Sequence, residues 1–112
     1  MAVNTRSSPF GSQSRTRVLL ALGLLDESYA RELARVLELP LSNVQKALRT
    51  LELDGLVAAR ALGRTRAFRL NPRYFARDAL RALMLRLAEP ERVLHERVEA
   101  LRRRPRRTGK PV

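Results

Sequence analysis

The stretch "LPLSNVQKALRTLELDGLV", residues 39–57, decides how this chain folds. Leu41, Val44, Leu48 and Leu51 recur at the three- and four-residue spacing of a helix that buries one face. The positions between them, Ser42, Asn43, Gln45, Lys46 and Arg49, mix hydrogen-bond donors and cations, and the first two turns contain no acid. A merely solvated helix face usually alternates Glu and Lys at i,i+4. Pro40 lacks the amide a helix interior needs but is tolerated in a first turn, so the helix begins there and runs over about 41–54. Gly55 suits the left-handed position just past its end.

Upstream, "ARELARVL" predicts a helix over about 30–37, with Leu33, Ala34 and Leu37 on one side and Arg31, Glu32 and Arg35 on the other. Before it, Val18, Leu19, Leu22 and Leu25 predict a helix over about 14–25, with Ser12 or Ser14 as its cap, and Asp26-Glu27-Ser28 reads as a turn. Downstream, "LVAAR" and "RAFRL" flank "ALGRT" with its glycine, a hairpin pattern in which Phe68 and Leu70 share a face and Arg69 points away. Asn71-Pro72 reads as a cap and first helical residue for a helix over about 73–88. Pro90 breaks it, and a last helix follows over about 91–104.

Two helices joined by a tight turn, the second with a polar outer face, make a helix-turn-helix, and a hairpin directly after makes a wing. On these residues, "ELARVLELPLSNVQKALRTLELDGLV" and the hairpin "ARALGRTRAFRLN", the chain resembles winged helix-turn-helix regulators of the ArsR/MarR type over roughly 14–72. The resemblance implies a mainly α fold with a small β-hairpin, C-terminal dimerisation helices, and double-stranded DNA as partner. Two departures matter. Glu38 stands where the family usually places glycine in the turn, at a cost of about 1 kcal/mol or somewhat more. The Cys and His sets of metal-sensing members are absent: the chain has no Cys, and His95 is its one histidine. No metal and no cofactor are therefore expected.

Charge supports that reading. The 112 residues carry 23 Lys and Arg against 11 Asp and Glu, a formal net charge of +12, which calls for a polyanionic partner. The major groove admits one helix and displays a donor and acceptor code on its floor. Leu41, Ser42, Asn43, Gln45 and Lys46, near the start of the second helix of the motif, are the expected base-reading residues. Arg15, Arg17, Arg49, Arg60, Arg64 and Arg66 are the expected backbone and wing contacts, which position without specifying sequence. The expected layout is a flexible arm over 1–11, a DNA-binding domain over 12–72, C-terminal helices over 73–104 and a disordered basic tail over 105–112.

Leu80, Leu87, Leu94 and Leu101 recur every seven residues, with Met84 and Val98 between them. That seam is expected to hold a homodimer through the first helix and the two C-terminal ones, facing a roughly palindromic operator. Pro90 and Glu91 interrupt it, and packing within the chain is the plainer alternative. The run "VLLALGLL" is short for a signal peptide, and Asp26-Glu27 would sit in the cleavage region. No stretch approaches the roughly 20 apolar residues of a membrane span, so a cytoplasmic, nucleoid-associated protein is expected. With no Cys nucleophile, Gly-rich phosphate loop, histidine pair or paired carboxylates, catalysis is not expected. Two other readings remain: a winged helix used to bind protein, and a non-specific nucleic-acid-binding accessory whose affinity lies in its tail.

Overall fold

Residues 13–25 are apolar around the whole helical circumference in their second half, and such a helix must be covered on every side. In a computed structural model that describes residues 10–103, it is. Helix α1 (Gln13–Leu25) is the central rod, with Val18 to Leu22 fully buried. It touches α2 (Ala30–Leu37), α3 (Leu41–Leu53), α4 (Arg77–Ala88) and α5 (Arg92–Arg103). Ser12 caps α1, its hydroxyl accepting from the Arg15 amide at 3.0 Å. The expected arm and basic tail fall mostly on residues 1–9 and 104–112, outside those described.

Short turns between α1, α2 and α3 are closed by backbone geometry. The Leu39 amide donates to the Ala34 carbonyl and the Glu38 amide to that of Arg35, the double bond of a Schellman motif. Glu38 occupies the left-handed position at φ 55° and ψ 47°, as expected of the residue standing in for glycine. Its carboxylate is held at 2.6 Å by Arg97 of α5. Gly55, at φ 82°, ends α3 in the same motif through the Gly55 to Glu52 and Leu56 to Leu51 bonds. At the end of α1, the Glu27 amide donates to the Leu25 carbonyl at 2.8 Å with Asp26 at φ 70° and ψ −52°. That is the rare form of γ-turn, and Arg81 of α4 holds its side chain at 3.0 Å.

The sheet has three antiparallel strands in the order β1-β3-β2: β1 (Ser28–Tyr29), β2 (Val57–Leu62) and β3 (Thr65–Leu70). β1 corrects the expected turn at 26–28: Ser28 pairs with Phe68 and Tyr29 with Ala67. Two residues are too few for alternation to register. The β2–β3 hairpin closes on Gly63-Arg64, with Gly63 at φ 62° in the first central position, as a II′ turn demands. Phe68 and Leu70 are buried and Arg69 is exposed, as the period of two predicts.

A further correction concerns the start of α4. The Asn71 Oδ1 accepts from the Arg73 amide at 2.9 Å, as a cap would, but no helix runs from residue 73. The Asn71 amide and side chain bond back to the Leu56 carbonyl at 2.8 Å and the Gly55 carbonyl at 2.9 Å. This clamps the two ends of the hairpin together. Residues 72–76 then run as successive turns, and α4 starts at Arg77.

Candidate nucleic-acid interface

Helix α3 presents two faces. Val44, Ala47, Leu48 and Leu51 are buried against α1 and α2, while Ser42, Asn43, Gln45, Lys46 and Arg49 are exposed and Leu41 is half-buried. No side chain caps its N-terminus, and its first turn has no acid, so the positive end of the helix dipole faces outward beside those residues.

A groove of about 590 Å³ runs between α3 and the hairpin. Gln45, Arg49 and Glu52 form one wall, Arg64, Thr65, Arg66 and Phe68 the other, and Tyr29 and Arg31 close the end at the start of α2. A second hollow of about 310 Å³ joins the start of α1 to α3 and brings Arg15 beside Asn43 and Lys46. Among the described residues, ion pairs engage Arg17, Arg60, Arg66, Arg97, Arg102 and all three arginines of α4, Arg77, Arg81 and Arg86. None engages a cation of α2, α3 or the hairpin turn: Arg31, Arg35, Lys46, Arg49 and Arg64 are exposed with no carboxylate within 4.0 Å. Arg69, Arg73, Arg92 and Arg103 are likewise exposed and outside these ion pairs, but they are spread over other elements, whereas on this side the open cations lie on neighbouring ones.

The expected backbone cations divide accordingly. Arg49 and Arg64 lie free in the groove. Arg66 lines it too, bonded to Glu52 at 2.8 Å and stacked 5.3 Å above the Phe68 ring, which ties the hairpin to α3. Arg60 makes a two-pronged pair with Glu27 at 2.8 and 3.0 Å, and that hydrogen bond and charge raise its pKa further. It braces the base of the hairpin. Arg15 donates to the Phe10 carbonyl at 2.7 Å. Arg17 corrects an expectation: its guanidinium meets Glu91 at 3.1 Å, and that carboxylate is only 8% exposed. Two residues along a helix is a rotation of about 200°, so Arg15 and Arg17 cannot share a face. Arg31, Arg35, Tyr29 and Thr65 were not among the residues singled out from sequence. The signal for the two arginines was their i,i+4 spacing on the polar side of the first helix of the motif.

The C-terminal seam is also corrected. Leu80, Met84, Leu94 and Val98 are buried within this chain, and Leu87 and Leu101 are partly buried against the same core. α4 packs on α1, and α5 on α1 and α2, so the helices after the wing have a core of their own to cover. In α1, Thr16 and Val18 to Gly23 are likewise buried within this chain.

The helix-turn-helix, the groove and the hairpin clamped by Asn71 make up one architecture. This is a winged helix. No family model matches the sequence, and no curated protein does either. Among solved structures the chain is similar to a MarR family transcriptional regulator from Silicibacter pomeroyi DSS-3, with a TM-score of 0.53 and 26% identity over 79% of this chain. The chain spans 60% of the length of that regulator. No helix among the described residues is long and apolar enough to cross a membrane.

Proposed function

We propose that this winged helix binds double-stranded DNA as a sequence-reading transcriptional regulator and works as a homodimer, most simply as a repressor that occludes a promoter. The segregation of charge carries the reading: the cations of α2, α3 and the wing tip are left unpaired, while every arginine of α4 is neutralised. α3 enters the major groove by its N-terminal half. Asn43 and Gln45 have the paired donor and acceptor that match adenine, Lys46 reaches guanine, Leu41 meets a thymine methyl, and Ser42 bonds either kind of edge. The groove between α3 and the wing seats the sugar-phosphate backbone on Arg31, Arg49 and Arg64, with Arg35 and Arg15 at its margins and Arg66 joining as it leaves Glu52. The wing tip lies along the backbone or in the minor groove, where negative potential attracts arginine. The similarity to a MarR family transcriptional regulator supports the same reading.

The test is the salt dependence of duplex binding. Five backbone cations per protomer, Arg15, Arg31, Arg35, Arg49 and Arg64, imply a log–log slope of about −4.5 per protomer. Replacing Arg31, Arg49 and Arg64 by alanine flattens it by about 2.7, whereas Arg92→Ala, on the outer face of α5, leaves it unchanged. Equal effects from both would mean that the chain binds DNA by overall charge alone.

A further inference from the structure

Glycine would take the left-handed position between α2 and α3 without steric cost, yet Glu38 holds it at φ 55° and ψ 47°. The side chain that glycine lacks is put to use. One guanidinium nitrogen of Arg97, on α5, lies 2.6 Å from the Glu38 carboxylate, and the other donates to the Val36 carbonyl at 3.1 Å. That carbonyl is left over at the end of α2. Its donor in a continuing helix would be the amide of residue 40, which is Pro40 and has none. A single side chain therefore satisfies the last turn of α2 and grips the residue that redirects the chain into α3. Its charge also lies at the negative end of the α2 dipole.

We infer that Arg97 is a positioning residue for the recognition helix: it ties the helix-turn-helix turn to α5 and so fixes the pose in which α3 presents Asn43, Gln45 and Lys46. This rests on the proposed reading of bases by α3 and names what holds the reader in place. The backbone bonds of the turn, from Glu38 and Leu39 to α2 and from Asn43 and Val44 to the Pro40 carbonyl, all stay within the motif. Arg97 joins the turn to an element outside it. That element is well seated, since Leu94 and Val98 on either side of Arg97 are buried and α5 packs on α1 and α2. Arg102, further along α5, makes the matching contact to the Leu24 carbonyl near the end of α1. The Arg97 and Glu38 side chains are 34% and 68% exposed, and a pair so open to water adds little to global stability. Its consequence is local. Glycine at position 38 would give an easier turn with nothing for α5 to hold; glutamate gives a costlier turn with a fixed angle.

Residue-resolved amide exchange and duplex binding by the full chain test this. Arg97→Met keeps an apolar stem and removes the donors. In that variant the amides of Leu39, Asn43 and Val44 exchange about tenfold faster, those of Val18 to Leu22 stay within about twofold, and the melting temperature falls by less than about 5 °C. Arg97→Lys, a point donor that cannot fork across two acceptors, recovers only part of the protection. Glu38→Gly also speeds exchange at those three amides, yet melts no lower than wild type because glycine fits the turn. In the Arg97→Met background it adds nothing further, since both changes break one contact. Arg102→Ala removes the equivalent contact at the end of α1 and leaves the three amides at wild-type rates.

The binding probes are the duplex enriched by selection from a random pool and a scrambled duplex of the same length. Arg97→Met lowers the ratio of the two affinities about tenfold, roughly the worth of one bidentate base contact, with the salt slope unchanged. Exchange that rises evenly over the whole chain overturns the inference, as does an equal response to Arg102→Ala. So does equal weakening on both duplexes, the effect of a carboxylate merely set free near DNA, or a slope flattened by about 0.9, which would make Arg97 a phosphate contact. If exchange rises only at the turn but the wild-type chain retains no duplex, Arg97 still pins the turn and the DNA-binding reading alone fails. If the wild type selects a sequence and the turn is indifferent to Arg97, the reverse holds.

Discussion

Replacing Arg17 separates a structural role from a DNA-binding one. Its guanidinium lies 3.1 Å from Glu91, with the two side chains 20% and 8% exposed. Removing one member of a fully buried pair costs about 3–5 kcal/mol, because the other charge is left in a medium that solvates it poorly. Arg17 retains some water, so about 2–3 kcal/mol is the appropriate discount. For a domain of this size each kcal/mol moves the melting temperature by about 4–8 °C, so Arg17→Met and Glu91→Ala each lower it by about 10–20 °C. Changing both together to Arg17→Met and Glu91→Leu recovers most of the loss, since a well-packed apolar pair replaces a buried ionic one at little cost. Thermal melts followed by far-UV circular dichroism give the shift, and anisotropy titrations of labelled duplex at several salt concentrations give the slope. The slope of the Arg17 variant stays at the wild-type value. A melting shift under about 3 °C, or a slope flattened by about 0.9, would refute the assignment of Arg17 to the core.

Glu52→Gln removes the one carboxylate lining the groove beside α3 and frees Arg66 from its 2.8 Å bond. Duplex binding tightens and its salt slope steepens by about 0.9, and an unchanged titration would place the DNA elsewhere. Gly23 packs its Cα side against α4, where an added Cβ would come within 3.1 Å of the Met84 Cβ. Gly23→Val costs about 1–3 kcal/mol in urea unfolding, and a neutral result would mean that α1 and α4 are less closely fitted. Gly63→Ala forces a Cβ onto the φ 62° position of the wing turn and costs about 1 kcal/mol by the same measurement.

Much of the architecture was legible because local and tertiary preferences agree. The limits of α2, the start of α3 at Pro40 and the left-handed conformation at Gly55 follow from turn and capping chemistry, while that at Glu38 follows from the resemblance, which places glycine there. The exposed row on α3 was legible for the same reason, since helical periodicity assigns faces directly. The failures arose where distant residues decide. Asn71-Pro72 has every local mark of a helix start, and the Asn71 Oδ1 does accept from the Arg73 amide at 2.9 Å, yet its donors are tied to the carbonyls at positions 55 and 56 and the turns that follow become a helix only at Arg77. β1 exists because β3 offers an edge, and two residues carry no signal of that. A seven-residue leucine repeat states that a face is buried without stating by what. With Pro90 between α4 and α5, both halves of the repeat turn onto α1 and its neighbours. Which cations are open depends on where the carboxylates fall in space. That is why the sequence alone does not separate Arg17 and Arg60, which meet Glu91 and Glu27, from Arg31 and Arg35, which meet no carboxylate.

Selection of bound sequences from a random duplex pool at about 150 mM salt, where non-specific attraction is weakened, tests the central claim most directly. An enriched palindrome of two half-sites about one helical turn apart is expected, lost when Gln45 and Lys46 are both replaced by alanine. Retention of DNA without any enriched sequence would contradict α3 as a reader of bases, and no retention at all would contradict DNA as the partner.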